Sequence, residues 1–186
     1  MKRFLPALLP LLMVAGCSSQ TVTPTDKTAF ITVSDLPAFG YTNPKLPQGT
    51  WNKTGYGDGT YEIEYEAQTP DGEKNYPLYI NESLSDENTS KDALTYLAGT
   101  RGAMNLALKA QSLTEKSVPN QIIYGDGSSL TTLQSGKIAV GNIFSARKGG
   151  RTFSLMIVGI TFDDPKNWDD FVGKKVHAWL DGAKSE

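Results

Sequence analysis

Residues 137–161 read KIAVGNIFSARKGGRTFSLMIVGIT, two runs of strand-forming residues separated by Gly149-Gly150. Lys137 to Arg147 and Arg151 to Thr161 are rich in β-branched and aromatic residues, and a glycine pair between such runs is a hairpin signal, because tight hairpin turns need positive φ. An antiparallel sheet is therefore the starting point. Immediately downstream, Asp164-Pro165 gives a helix start: the aspartate can cap free amides and proline fits the first helical position. Trp168, Phe171, Val172, Val176 and Trp179 recur at helical spacing as its buried stripe, and Gly182 closes it. Upstream, Gln121 to Tyr124 and Leu130 to Leu133 complete four strands in this half.

Before these strands the spacing predicts a helix starting after Thr89 or Ser90, with Asp92 in its first turn. Leu94, Leu97, Ala98, Met104 and Leu108 fall on one face. Gly99 and Gly102 cost about 1 kcal/mol each relative to Ala inside a helix, and they suggest close packing against a sheet. Earlier still, Tyr61, Ile63, Tyr65 and Ala67 alternate with Glu62, Glu64 and Glu66, the period of a half-buried strand. Pro70-Asp71-Gly72 is a turn signal, with Tyr76, Leu78 and Ile80 as the hairpin partner, and Pro77 places that partner at a sheet edge. Residues 36–60 hold Pro37, Pro44 and Pro47 and a cluster of glycines at Gly49, Gly55, Gly57 and Gly59, which indicates loop with at most short strands. Phe30, Ile31 and Val33 suggest a first strand. The fold class is α+β: a mostly antiparallel sheet packed by two main helices, about 90–110 and 165–181, forming a single domain over 29–186.

The order of elements is similar to that of the PsbP/Mog1-like group of small antiparallel sandwiches, whose members lack a common catalytic motif. The likeness is one of element order, with no residue signature to carry over, and cystatin-like or other α+β arrangements stay open.

Residues 1–16 form a short export signal, with Lys2 and Arg3 leading an apolar run from Phe4 to Val14 and small residues closing it. The run is too short to span a bilayer. Val14-Ala15-Gly16-Cys17 contains the only cysteine of the 186-residue chain and resembles the lipobox of bacterial lipoproteins. That resemblance implies cleavage before Cys17, acylation of its thiol, and a lipid-anchored protein. Ser18 and Ser19, where an inner-membrane protein of this kind commonly carries aspartate, imply the outer membrane. Residues 17–28 form the lipidated N-terminus and a polar, flexible tether, whose ten residues from Ser18 to Lys27 would reach roughly 35 Å if extended.

The formal net charge is −2, and it becomes more negative once Lys2 and Arg3 leave with the signal. This excludes a nucleic-acid binder driven by bulk charge. With one cysteine no internal disulfide can form. His177, the single histidine, lies nine residues after Trp168 and so on the opposite, wet side of its helix. Neither a Ser-His nor a Cys-His device is indicated, nor a His/Cys metal site. The tetrapeptides Tyr56-Gly57-Asp58-Gly59 and Tyr124-Gly125-Asp126-Gly127 lack the ligand ladder of a calcium loop and are mainly turn chemistry. No catalytic residue, metal or cofactor is expected.

Binding residues are sought instead among polar groups on buried faces. Arg101 and Asn105 project within the apolar stripe of the first main helix and Lys175 within that of the last. They either snorkel to water or line a polar cleft that binds an anion or a partner carboxylate. Glu62, Glu64 and Glu66 form either a solvated face or a docking surface for a basic partner. Seven of the eight tyrosines lie between Tyr41 and Tyr96. Together with Trp51, they either fill a core or, through Trp51, Tyr56 and Tyr61, stack on a glycan or anchor a partner. The expectation is a non-enzymatic, lipid-anchored envelope protein that binds another envelope protein. The alternative is a glycan- or small-ligand-binding module, with a carboxylate or calcium-dependent enzyme third.

Overall fold

The computed structural model describes residues 17–43, 46–70 and 77–182. Residues 1–16, read above as an export signal, the Pro70-Asp71-Gly72 turn beyond Pro70, and Tyr76 lie outside them. Eight strands form one antiparallel sheet: β1 (Ser18–Ser19), β2 (Thr50–Gly55), β3 (Tyr61–Gln68), β4 (Tyr79–Asp86), β5 (Leu113–Ser117), β6 (Gly127–Ser135), β7 (Ile138–Lys148) and β8 (Arg151–Val158). Their order is β1-β2-β3-β4-β8-β7-β6-β5. The helices are α1 (Pro24–Lys27), α2 (Ser90–Ala110) and α3 (Pro165–Leu180). The α+β class and both main helices stand as expected.

The Gly149-Gly150 hairpin is present, with Lys148 paired to Arg151. Asp164 caps α3 through its Oδ1, which accepts the Lys166 amide at 2.7 Å, and Pro165 follows at the first helical position. Alternation along β8 and β7 then separates two apolar layers. Phe144, Ala146, Phe153, Leu155 and Ile157 face α3, packing with Trp168, Phe171, Val172, Val176 and Trp179. Ile143 and Val158 face the other way, meeting Met104 and Leu108 of α2. The two main helices therefore cover opposite faces of the sheet.

Several expectations are corrected. β4 is central rather than an edge strand, lying between β3 and β8; Pro77 sits just ahead of the strand, where no ladder amide is needed. Residues 33–39 form a 3-10 helix, not a strand: the Thr32 amide donates to Asp35 Oδ2 at 2.7 Å, and Gly40 ends the helix at φ +87°. Local Thr/Asp capping overrides the β-branched residues there. Gln121 to Tyr124 is not a strand; the fourth strand of this half is β5, a polar edge strand without the apolar signal that marks a buried one. Gly99 and Gly102 are not close-packing sites, since a Cβ at either would meet nothing within 4 Å. Leu94 is 54% exposed and Ala98 is exposed, while Ala93 is buried in Leu94's stead.

The polar segment after Cys17 is not a free leash. Ser18 and Ser19 pair with Gly55 and Thr54, and the Gln20 amide donates to the Lys53 carbonyl at 2.8 Å. Thr23 and Asp26 cap each other across α1 at 2.8 and 3.2 Å. Asp26 also pairs with Lys53 at 3.0 Å.

Candidate functional site

Three groups of residues hold polar chemistry, and each follows from the two-faced sheet. The first lies under α3. Lys175 Nζ donates to the Phe30 carbonyl and, at 2.7 Å, to Asp35 Oδ2. Burial opposes ionisation of Asp35, but hydrogen bonds from Lys175 and the Thr32 amide outweigh it and hold the carboxyl below its usual range. Beside it, Glu82 of β4 is fully buried, and its Oε2 accepts the Ile31 amide at 2.8 Å while Oε1 has no partner. Burial pushes the Glu82 carboxyl well above its usual range, against the pull of the Ile31 hydrogen bond and of Lys175. These groups clasp residues 29–39 to the sheet, where Phe30, Ile31 and Leu36 are fully buried. Each such side chain contributes about 2 kcal/mol of apolar burial.

Lys175 is thus neither a surface snorkel nor part of a common cleft with Arg101 and Asn105. Arg101 sits on the opposite side of the sheet and forms an ion pair with Glu115 of β5, which also accepts from Thr131 Oγ1 at 2.7 Å. Asn105 is exposed. The helical phase of each residue was readable, but its phase does not say which side of the sheet the helix covers, and that separates the three.

The second group is the acidic row. Glu62, Glu64 and Glu66 of β3 point away from the aromatic core, towards the side of the sheet that α2 covers, and each is half-buried. Glu62 accepts hydrogen bonds from Tyr96 of α2, from Ser83 Oγ at 2.9 Å and from Tyr56 at 3.4 Å. Glu64 accepts from Asn52 at 3.2 Å; burial first, then the neighbouring Glu62, raise its pKa. Burial also raises Glu87, with Glu62, Asp58 and Asp92 adding to the effect against the hydrogen bond from Ser85. The row is therefore a partly desolvated concentration of negative charge, and an incoming cation would relieve it.

The third group is aromatic. Trp51 packs against Tyr65 with ring centroids 4.5 Å apart and against Phe30 at 4.9 Å, and the Lys27 ammonium lies 5.1 Å from its ring. Tyr61 meets Trp179 at 6.3 Å and carries Lys53 at 4.8 Å. Gly49 is required here because a Cβ would collide with the Tyr65 ring. Rings engaged on this scale serve the core more readily than they stack on sugars. Tyr56 differs: it is half-buried beside the β2–β3 turn, and burial, then Glu62 and Cys17, raise its hydroxyl to about 12.

His177 is 57% exposed, with Nδ1 4.0 Å from Asp181. Both Gly-Asp-Gly segments are turns: Asp58 accepts the Thr60 amide at 3.0 Å, and Asp126 accepts the Gly149 amide at 2.8 Å. Among the described residues no group of three or more His, Cys, Asp or Glu side chains is placed to hold a metal, and no helix is long and apolar enough to cross a membrane. Glu82 was legible in principle, because it breaks the inward alternation of Leu78, Ile80 and Leu84. Asp35 and Tyr96 carried no such signal. No family model, curated protein or solved structure matches the chain.

Proposed function

We propose that the protein is a lipid-anchored, non-enzymatic envelope lipoprotein of the outer membrane, whose domain docks a basic surface of another envelope protein. The observation that carries this reading is Val14-Ala15-Gly16-Cys17 at the end of a short apolar run, with Cys17 the chain's one cysteine and exposed where the described structure begins. Several acyl chains at that position would anchor stably where one chain would not. The acidic row supports the docking role: Glu62, Glu64 and Glu66 offer like charge on one strand face, half-buried at a spacing that a basic partner would neutralise.

Metabolic labelling with an alkyne fatty acid tests the anchor, with label expected on the parent protein and lost in Cys17→Ala. A photo-crosslinking residue placed at Glu66 in intact cells tests the docking face. One dominant adduct, lost when Glu64 is replaced by Lys, is expected. Labelled protein that gives no adduct from position 66 overturns the docking role and leaves the anchor standing.

A further inference from the structure

The residues between the anchor and the core are tied down almost one by one. Ser18 and Ser19 are zipped to Gly55 and Thr54, and continuing that register sets Cys17 opposite Tyr56. The amide end of the Gln20 side chain lies over Gly55, in the space a Cβ there would take. The Gln20 amide reaches the Lys53 carbonyl at 2.8 Å. Asp26 and Lys53 pair at 3.0 Å with side chains only 15% and 13% exposed, a geometry far less screened than a surface ion pair. Lys27 covers Trp51, and Phe30 and Ile31 then enter the core.

Neighbouring strands lie about 5 Å apart, so Cys17 stands about that far from Tyr56, where the β2–β3 turn begins. That turn is tight: the Gly59 amide donates to the Tyr56 carbonyl at 3.0 Å, and the Tyr56 amide to Thr60 at 2.9 Å. Gly57, Asp58 and Gly59 are exposed at its tip. The β6–β7 turn at Gly136-Lys137 lies at the other end of the same antiparallel sheet, roughly a strand length of 25 Å away.

We propose that the acylated protein has no leash, and that its Cys17 end rests on the bilayer with the β2–β3 turn, Tyr56–Gly59, among the lipid headgroups. This rests on the lipid-anchor reading above. Tyr56 suits that depth because its apolar ring is only half-buried while its hydroxyl is satisfied by Glu62. Glycines on either side of Asp58 bring backbone close to the surface. Asp58 at the tip and Glu87 beside it favour zwitterionic, amine-bearing headgroups over a strongly anionic surface.

The test uses acylated protein carrying Asp58→Cys or Lys137→Cys, labelled with an environment-sensitive fluorophore and reconstituted into phosphatidylethanolamine/phosphatidylcholine vesicles with headgroup nitroxide lipids. Several-fold stronger quenching at position 58 than at 137 is expected. In the acylated protein, Lys53→Glu should weaken quenching at 58 by setting like charges face to face, and Asp26→Lys in the same chain should restore it. Equal quenching at the two positions, or none at 58, overturns this proposal alone. Mass spectrometry showing an unmodified Cys17 overturns the anchor reading and this proposal together.

Discussion

The two faces of the sheet are built on different chemistry. Under α3, Phe144, Phe153, Phe162, Trp168 and Phe171 pack ring against ring, with Phe162 and Phe171 stacked at 4.7 Å. Under α2 the apolar layer is small: Tyr79, Met104, Leu108, Leu133, Ile143 and Val158 are buried, and beyond them the face is Glu62, Glu64, Glu66, Ser83 and Ser85. α2 itself buries only Ala93, Met104 and Leu108. One face is a continuous aromatic layer, and the other mixes a small apolar patch with half-buried carboxylates and buried serine hydroxyls.

Substitutions can break that contrast. Trp168→Ala should cost about 3–5 kcal/mol in urea unfolding, against about 2 kcal/mol for Met104→Ala on the sparser face; equal losses would mean the two layers share the load. Glu82→Gln sharpens the account of the aromatic side. The native state holds the Glu82 proton longer than the unfolded chain does. Its contribution to stability is therefore fully present below the unfolded pKa of 4.5 and is lost as pH rises through the folded value. The variant's unfolding midpoint should gain on the parent's with rising pH above about 4.5, and parallel pH profiles would show that the carboxyl is not the titrating group.

On the α2 face, Gly102→Ala should stabilise by about 0.8–1 kcal/mol, because the position is helical and its Cβ would enter open space. A loss would place a neighbour over α2. Smallest of all, Leu106→Ala, at a side chain 71% exposed, should change stability by no more than about 0.5 kcal/mol. A larger loss in intact envelopes than in purified protein would show that a partner covers this helix.

Local signals located the elements whose stability is local. The Gly149-Gly150 hairpin and the Asp164-Pro165 cap need only neighbouring residues, and α2 is capped by Thr89, one of the two residues expected there. β5 was missed because Leu113–Ser117 is a polar edge strand held by β6 rather than by its own pattern. The stripe of α2 was misphased at Leu94, since one large exposed leucine outweighs a buried Ala93 in any periodicity. The polar candidates do not share one cleft for a related reason: Arg101 and Lys175 have equivalent phases on their own helices but lie across the sheet from each other.

The sequence by itself determined the α+β class, the two main helices, the alternation of β3 and the negative charge, because these depend on periods and caps within a few residues. Only the tertiary structure decided that β4 is central, that the helices lie on opposite faces, that Glu82 meets the Ile31 amide and keeps one oxygen unpartnered, and that residues 18–28 fold back onto β2. Those outcomes depend on pairings between residues far apart in the chain, such as Glu82 with Ile31 and Lys53 with Asp26. No local pattern encodes which distant partner will supply the missing hydrogen bond or charge.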